Sequence, residues 1–228
     1  QLNFSATFIN AIRKVLSKKS GMILFTGPTG SGKTTSLYAI LNELISESLN
    51  IITIEDPVEY RVDSITQVSV NQTTGVTFAT ALKSFLRQDP DVILVGEIRD
   101  SDTARMACRA AQTGHLVLST LHCNDVFETF QRLKGLDVAL DDIASSLSLV
   151  VSQRLVNGRC LCDKANDICP KCNGTGIIGR VPVLEFLVIE SELRQLLMTS
   201  FSLHDFKISA KKQGYQSLRE NARELSDA

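Results

Sequence analysis

Two periods of apolar residues take turns along the 228-residue chain. Phe8, Ile9, Ile12, Val15 and Leu16 recur at the spacing of one helix face and predict an amphipathic helix near the start. The run Met22-Ile23-Leu24-Phe25-Thr26 is apolar almost without a break, as in a strand buried on both faces. Helical spacing returns over Thr35–Ile45 in Leu37, Ile40, Leu41, Leu44 and Ile45, and a second apolar strand is predicted over Asn50–Ile54. Ile65, Gln67, Val68 and Val70, within Ser64–Val70, predict a hairpin strand at the sheet edge. Beyond it the pattern predicts helix over Phe78–Arg87, strand over Asp91–Val95, helix over Ser101–Gln112 and strand over Leu116–Thr120. Asp125–Lys134 and Ile143–Leu155 both read as helices. Strands that alternate with helices imply a largely parallel sheet covered by helices.

Between the first buried strand and the helix after it stands Gly27-Pro28-Thr29-Gly30-Ser31-Gly32-Lys33-Thr34, followed by Thr35. This is a complete G-x-x-x-x-G-K-T loop in the strand–loop–helix context that its chemistry requires. Backbone N–H groups and the helix N-terminus face a polyphosphate there, and the glycines let the backbone wrap it. Lys33 is placed to reach the β- and γ-phosphates, and the Thr34 hydroxyl to ligate Mg²⁺. The chain is expected to bind a nucleoside triphosphate.

Acids follow two of the other strands. Val92-Ile93-Leu94-Val95-Gly96-Glu97 delivers Glu97 at a strand's carboxyl end, where ligands of open α/β sheets bind. An acid in that place either holds Mg²⁺ or polarises the attacking water. Glu55, Asp56 and Glu59 form a second acidic group just past a strand, and hydrolysis needs a carboxylate beside the γ-phosphate. Three acids in a turn are also compatible with plain solvation. His122 ends the strand Leu116–Thr120 on the same side, whereas His115 at its other end reads as structural.

The phosphate loop, the box Thr53-Ile54-Glu55-Asp56-Pro57-Val58-Glu59-Tyr60, the string from Leu86-Arg87-Gln88-Asp89-Pro90-Asp91 to Gly96-Glu97-Ile98-Arg99-Asp100, and Thr113-Gly114-His115 through Thr120-Leu121-His122 occur in order. They resemble the Walker A, aspartate box, Walker B and histidine box of the bacterial secretion ATPase superfamily, whose members drive type II secretion and type IV pilus assembly. The resemblance covers nearly the whole chain. It implies that Lys33 and Thr34 bind phosphate and Mg²⁺, that Glu59 is the catalytic carboxylate, and that Glu97 is the Walker B acid. It further implies that His122 is the histidine-box residue and that Arg154, in Ser152-Gln153-Arg154-Leu155, contributes to the nucleotide site. A homo-hexamer is implied, with an inner-membrane platform protein and associated cytoplasmic assembly proteins as partners, at the cytoplasmic face of the inner membrane. Both ends of the sequence read as cuts through a longer protein. Without the family's amino-terminal domains, weak ATPase activity is expected of this piece alone.

Cys160, Cys162, Cys169 and Cys172 form C-x-C-x₆-C-x₂-C, followed by Asn173-Gly174-Thr175-Gly176. Four thiolates this close suit a closed, structural tetrahedral zinc site. Two disulfides are the alternative, which a reducing compartment disfavours. Assembly-type motors of the resembled family carry a tetracysteine insertion that retraction motors generally lack. Cys108 and Cys123 read as small buried residues. The expected organisation is a RecA-like P-loop NTPase core over 1–156, a zinc-binding subdomain over 157–178 and a mostly helical segment over 179–228.

Composition changes this picture little. Apolar residues make up 43% and charged residues 21%, as in ordinary globular domains. A formal net charge of −1 speaks against a nucleic-acid-translocating motor, the alternative that shares the loop and sheet. A non-hydrolysing scaffold would be expected to lack Glu59 or Glu97, and both are present. No run approaches the ~20 apolar residues of a membrane span, and the first residues do not read as a secretory signal.

Overall fold

The computed structural model describes residues 4–45, 48–160, 162, 169–199 and 201–227. Strand β1 (Gly21–Thr26) lies in the middle of the molecule because both of its faces are apolar. Met22 and Leu24 enter one hydrophobic cluster, Ile23 and Phe25 the other, and all four are fully buried. On one side of β1 runs β5 (Leu116–Leu121), on the other β6 (Leu147–Arg159), both parallel to it; Ile23 pairs with Leu118 and with Leu149. Beyond β5 come β4 (Val92–Val95), β2 (Ile51–Glu55) and, at the edge, β3 (Thr66–Ser69), all parallel. Strand β7 (Ile177–Val188) closes the other edge antiparallel to β6, giving the order β3-β2-β4-β5-β1-β6-β7.

Helices α1 (Ala6–Leu16) and α2 (Lys33–Ile45) cover the face of Ile23 and Phe25. Phe8 of α1 is 1% exposed, and a side chain of that kind contributes about 1.5–3 kcal/mol when fully buried. Helices α3 (Phe78–Phe85), α4 (Ser101–Gln112), α5 (Val126–Gly135), α6 (Leu140–Ser146), α7 (Ser191–Thr199) and α8 (Leu203–Lys212) contribute to the opposite cluster. Asp100 and Asp125 cap α4 and α5 by accepting backbone N–H groups of their first turns. The last helix, α9 (Leu218–Asp227), is tied to β7 by Asn221, which donates to the Leu184 carbonyl at 2.7 Å.

Two expectations are corrected. Ile143–Leu155 is not one helix: α6 stops at Ser146 and the chain continues as β6. The apolar run Leu147–Val151 fits either a helix or a doubly buried strand by periodicity, and its place between β1 and β7 selects the strand. Ser64–Val70 supplies an edge strand but no hairpin, because β3 pairs parallel with β2. The segment after residue 178 opens with most of β7, a strand, before its helices.

Candidate active site

The phosphate loop leaves the carboxyl end of β1 and enters α2 at Lys33. Its floor is β6. Gln153, 1% exposed, donates from Nε2 to the Ser31 carbonyl at 2.8 Å and accepts from Ser36 Oγ at 2.8 Å. A Cβ on Gly27 would lie 2.5 Å from the Gln153 carbonyl oxygen, so only glycine lets the loop sit this close to β6. Lys33 Nζ donates to the carbonyls of Gly27 (2.8 Å) and Pro28 (3.1 Å), and burial lowers its pKa. Ser31 Oγ is buried in the loop without a hydrogen-bond partner among the described residues, a donor left for an incoming oxygen.

Thr29, Gly30, Ser31, Gly32, Lys33, Thr34 and Thr35 line a cleft of about 510 Å³ together with residues from the carboxyl ends of β2, β4 and β5. Glu59, Glu97 and His122 all line it. His122 Nε2 lies 3.4 Å from Glu97 Oε2, and Arg99 pairs with the other oxygen of Glu97. Arg99 also reaches Asp56 at 3.6 Å, and its hydrogen bond to Glu97 raises its pKa. Arg154 does not line the cleft. It lies behind Gly27, donating to the carbonyls of Gln153 (3.0 Å) and Asn124 (2.7 Å). His115 is held at the far end of β5 by the Ala110 carbonyl and Thr113. A larger hollow of about 660 Å³ between α1, β7 and the C-terminal helices shares no residue with this cleft.

Beyond Arg154 the strands β6 and β7 continue as an arm on which Val156, Ile177 and Ile178 are exposed. At its tip the sulfurs of Cys160, Cys162, Cys169 and Cys172 lie within 4.8 Å of one another, none in a disulfide. Cys160 and Cys169 are 3.8 Å apart, Cys162 and Cys172 3.5 Å. Thiolates about 2.3 Å from a tetrahedral ion sit about 3.8 Å from one another, so the cluster could hold a metal ion. Backbone N–H groups of Cys172 and Lys171 bring the Cys169 thiol down to about 7, whereas hydrogen bonds among the sulfurs push Cys162 up to about 12. Residues 161 and 163–168, inside the expected zinc segment, lie outside the described residues.

The sequence profile of a family described as type II/IV secretion system protein matches residues 1–227. The chain belongs to this family. Over 214 residues it is 45% identical to the type II secretion system protein HxcR of Pseudomonas aeruginosa, covering 91% of this chain and 46% of HxcR. The type IV pilus assembly ATPase PilB of Acinetobacter baylyi is 43% identical over 234 residues, covering 90% of this chain and 40% of PilB. The crystal structure of the pilus retraction motor PilT with bound ADP matches with a TM-score of 0.69 and 32% identity, covering 96% of this chain and 64% of that one. The chain thus spans less than half the length of these two curated relatives.

Within this family member, four polar residues of the site carry contacts that local sequence does not announce. Gln153 was hidden in a segment read as helix. Arg99 stands two positions past Glu97, and that spacing along an extended strand exit was the available signal. Tyr38 and Gln67 had none, because they join Glu55 only through the fold. Glu55 itself is 4% exposed and accepts hydrogen bonds, so it is set apart from Asp56 and Glu59 by burial.

Proposed function

We propose that this chain is the ATP-hydrolysing core of a motor for type IV pilus assembly or type II protein secretion. The observation that carries the reading is the convergence of Glu59, Glu97 and His122 on the phosphate loop in one cleft. The loop N–H groups and the start of α2 bind the phosphates, and Lys33 offsets their charge. Thr34 and Glu97 would hold Mg²⁺, which when bound neutralises charge on the phosphate oxygens. Glu59 orients the attacking water and accepts its proton. His122, beside Glu97, senses whether the γ-phosphate is present and passes that state to β5 and α5. Arg154, whose charge lies close enough to Lys33 to help lower its pKa, contributes to the nucleotide site. The four cysteines hold zinc as a structural ion. Homo-hexamers of the longer protein act on an inner-membrane platform protein, together with cytoplasmic assembly proteins, at the cytoplasmic face. No described helix is long and apolar enough to cross a membrane.

The test is Glu59→Gln in the motor carrying this chain. Turnover is expected to fall by about 10²–10⁴-fold, the contribution typical of a positioned base. Mg·ATP affinity by calorimetry should stay near wild type. Normal turnover would remove Glu59 from catalysis, and loss of binding would make it a structural turn residue. Glu97→Gln should weaken Mg²⁺-dependent binding more than Glu59→Gln does.

A further inference from the structure

Glu59 sits in an irregular stretch between β2 and β3, and a carboxylate on such a stretch is only as well placed as the backbone on either side of it. That backbone is held from β3. Ser69 Oγ accepts the Val58 N–H at 3.2 Å, on one side of Glu59. On the other side, Gln67 Nε2 donates to the Tyr60 carbonyl at 3.2 Å and Gln67 Oε1 accepts the Val62 N–H at 2.8 Å. Positions 67 and 69 are two apart, so they share one face of the strand.

The carboxamide of Gln67 is fixed in turn from the core. Its Nε2 also donates to the Tyr38 hydroxyl at 2.9 Å, which donates to Glu55 Oε2 at 2.7 Å. Glu55 Oε1 accepts from Thr53 Oγ1 at 2.6 Å and lies 3.4 Å from Gln67 Nε2. Tyr38 is 1% exposed, so this chain of bonds runs from α2, which begins in the phosphate loop, to the stretch bearing Glu59. The Tyr60 ring packs on that of Tyr38 with centroids 4.2 Å apart.

We propose that Gln67 is a positioning residue for hydrolysis: with Ser69 it fixes the backbone around Glu59 and, through Tyr38, couples that backbone to the helix of the phosphate loop. The inference rests on Glu59 being the catalytic carboxylate. Gln67 is not among the residues that line the cleft, so its loss should act on the chemical step and not on binding.

The experiment compares Gln67→Ala, Gln67→Glu, Ser69→Ala and Glu59→Gln in the same motor, reading kcat and KM for ATP, Mg·ATP affinity and thermal midpoint. Gln67→Ala should lower kcat by about 10²-fold, the cost of a misplacement near 1 Å, with KM and affinity close to wild type. Gln67→Glu keeps the acceptor for Val62 but sets a carboxylate oxygen against the Tyr60 carbonyl and Glu55, so it should not rescue. Ser69→Ala, one neutral bond on an exposed strand, should lower kcat by about 2–10-fold. The proposal is overturned by wild-type kcat in Gln67→Ala, or by kcat, affinity and midpoint falling together. Should Gln67→Ala fail to fold, Ser69→Ala decides alone, and wild-type kcat there rejects the idea. Wild-type turnover in Glu59→Gln would reject the catalytic assignment instead, whatever Gln67 does.

Discussion

Strand β6 serves one kind of site at its middle and another just past its end, and the two are secured by different physics. Its first half is buried beside β1 and presses Gln153 up against the phosphate loop. Its second half leaves the sheet core with β7 as a two-stranded arm, with apolar side chains exposed, and delivers Cys160 to a cluster of four thiols. The loop is shaped by close packing, in which a single added Cβ meets backbone at 2.5 Å. At the arm's tip the four thiols converge, and a cross-link through a metal is a usual way to secure a small segment. Neighbourhood along one strand therefore does not imply shared stability.

Nucleotide affinity is one scale on which the two regions of β6 can be told apart. Lys33→Ala should have the largest effect, weakening Mg·ATP binding by about 10²-fold or more, since it deletes the one charged donor of the loop. Unchanged affinity by calorimetry would mean that the loop does not bind phosphate. Gln153→Ala comes next. It strands the Ser31 carbonyl, while Ser36 Oγ keeps the Gly32 carbonyl as its acceptor at 3.2 Å, at a cost of about 1–3 kcal/mol. A lower denaturation midpoint at unchanged slope, with affinity reduced about tenfold, would place β6 as the floor of the site. Stability equal to wild type would show that the loop holds its shape unaided. Metal loss should move affinity least. Elemental analysis should find one Zn²⁺ per chain, released by Cys169→Ser or a strong chelator. Hydrogen exchange should then quicken in the arm, around residues 157–160 and 176–181, and stay slow in β1. If nucleotide affinity fell with the metal, the phosphate loop and the thiol cluster would be coupled through β6.

What the sequence disclosed follows the same division between local and distant. The glycine loop, β1, α2 and Glu97 at the end of β4 were legible because each is written in contiguous residues. The four cysteines were legible by spacing alone. Gln153 was not, since Leu147–Val151 satisfies a helix period and a buried-strand pattern equally, and only β1 and β7 on either side decide. Parallel pairing of β3 with β2 was invisible for the same reason: a short link suggests a hairpin until the chain is seen to return in the same direction. Glu55 read as one of three surface acids, and its separate role appears only where Tyr38, Thr53 and Gln67 meet it.

The central place of β1 also sets an order of events during synthesis. Its two partners, β5 and β6, lie at residues 116–121 and 147–159, far along the chain from the loop they brace. Pairings across such separations form slowly, because long loops must close before any contact is gained. A nascent chain that has emerged only to β5 displays the whole glycine motif but has no floor beneath it. Nucleotide can therefore lend its binding energy to folding only after residue 153 has left the ribosome, late in the birth of this domain.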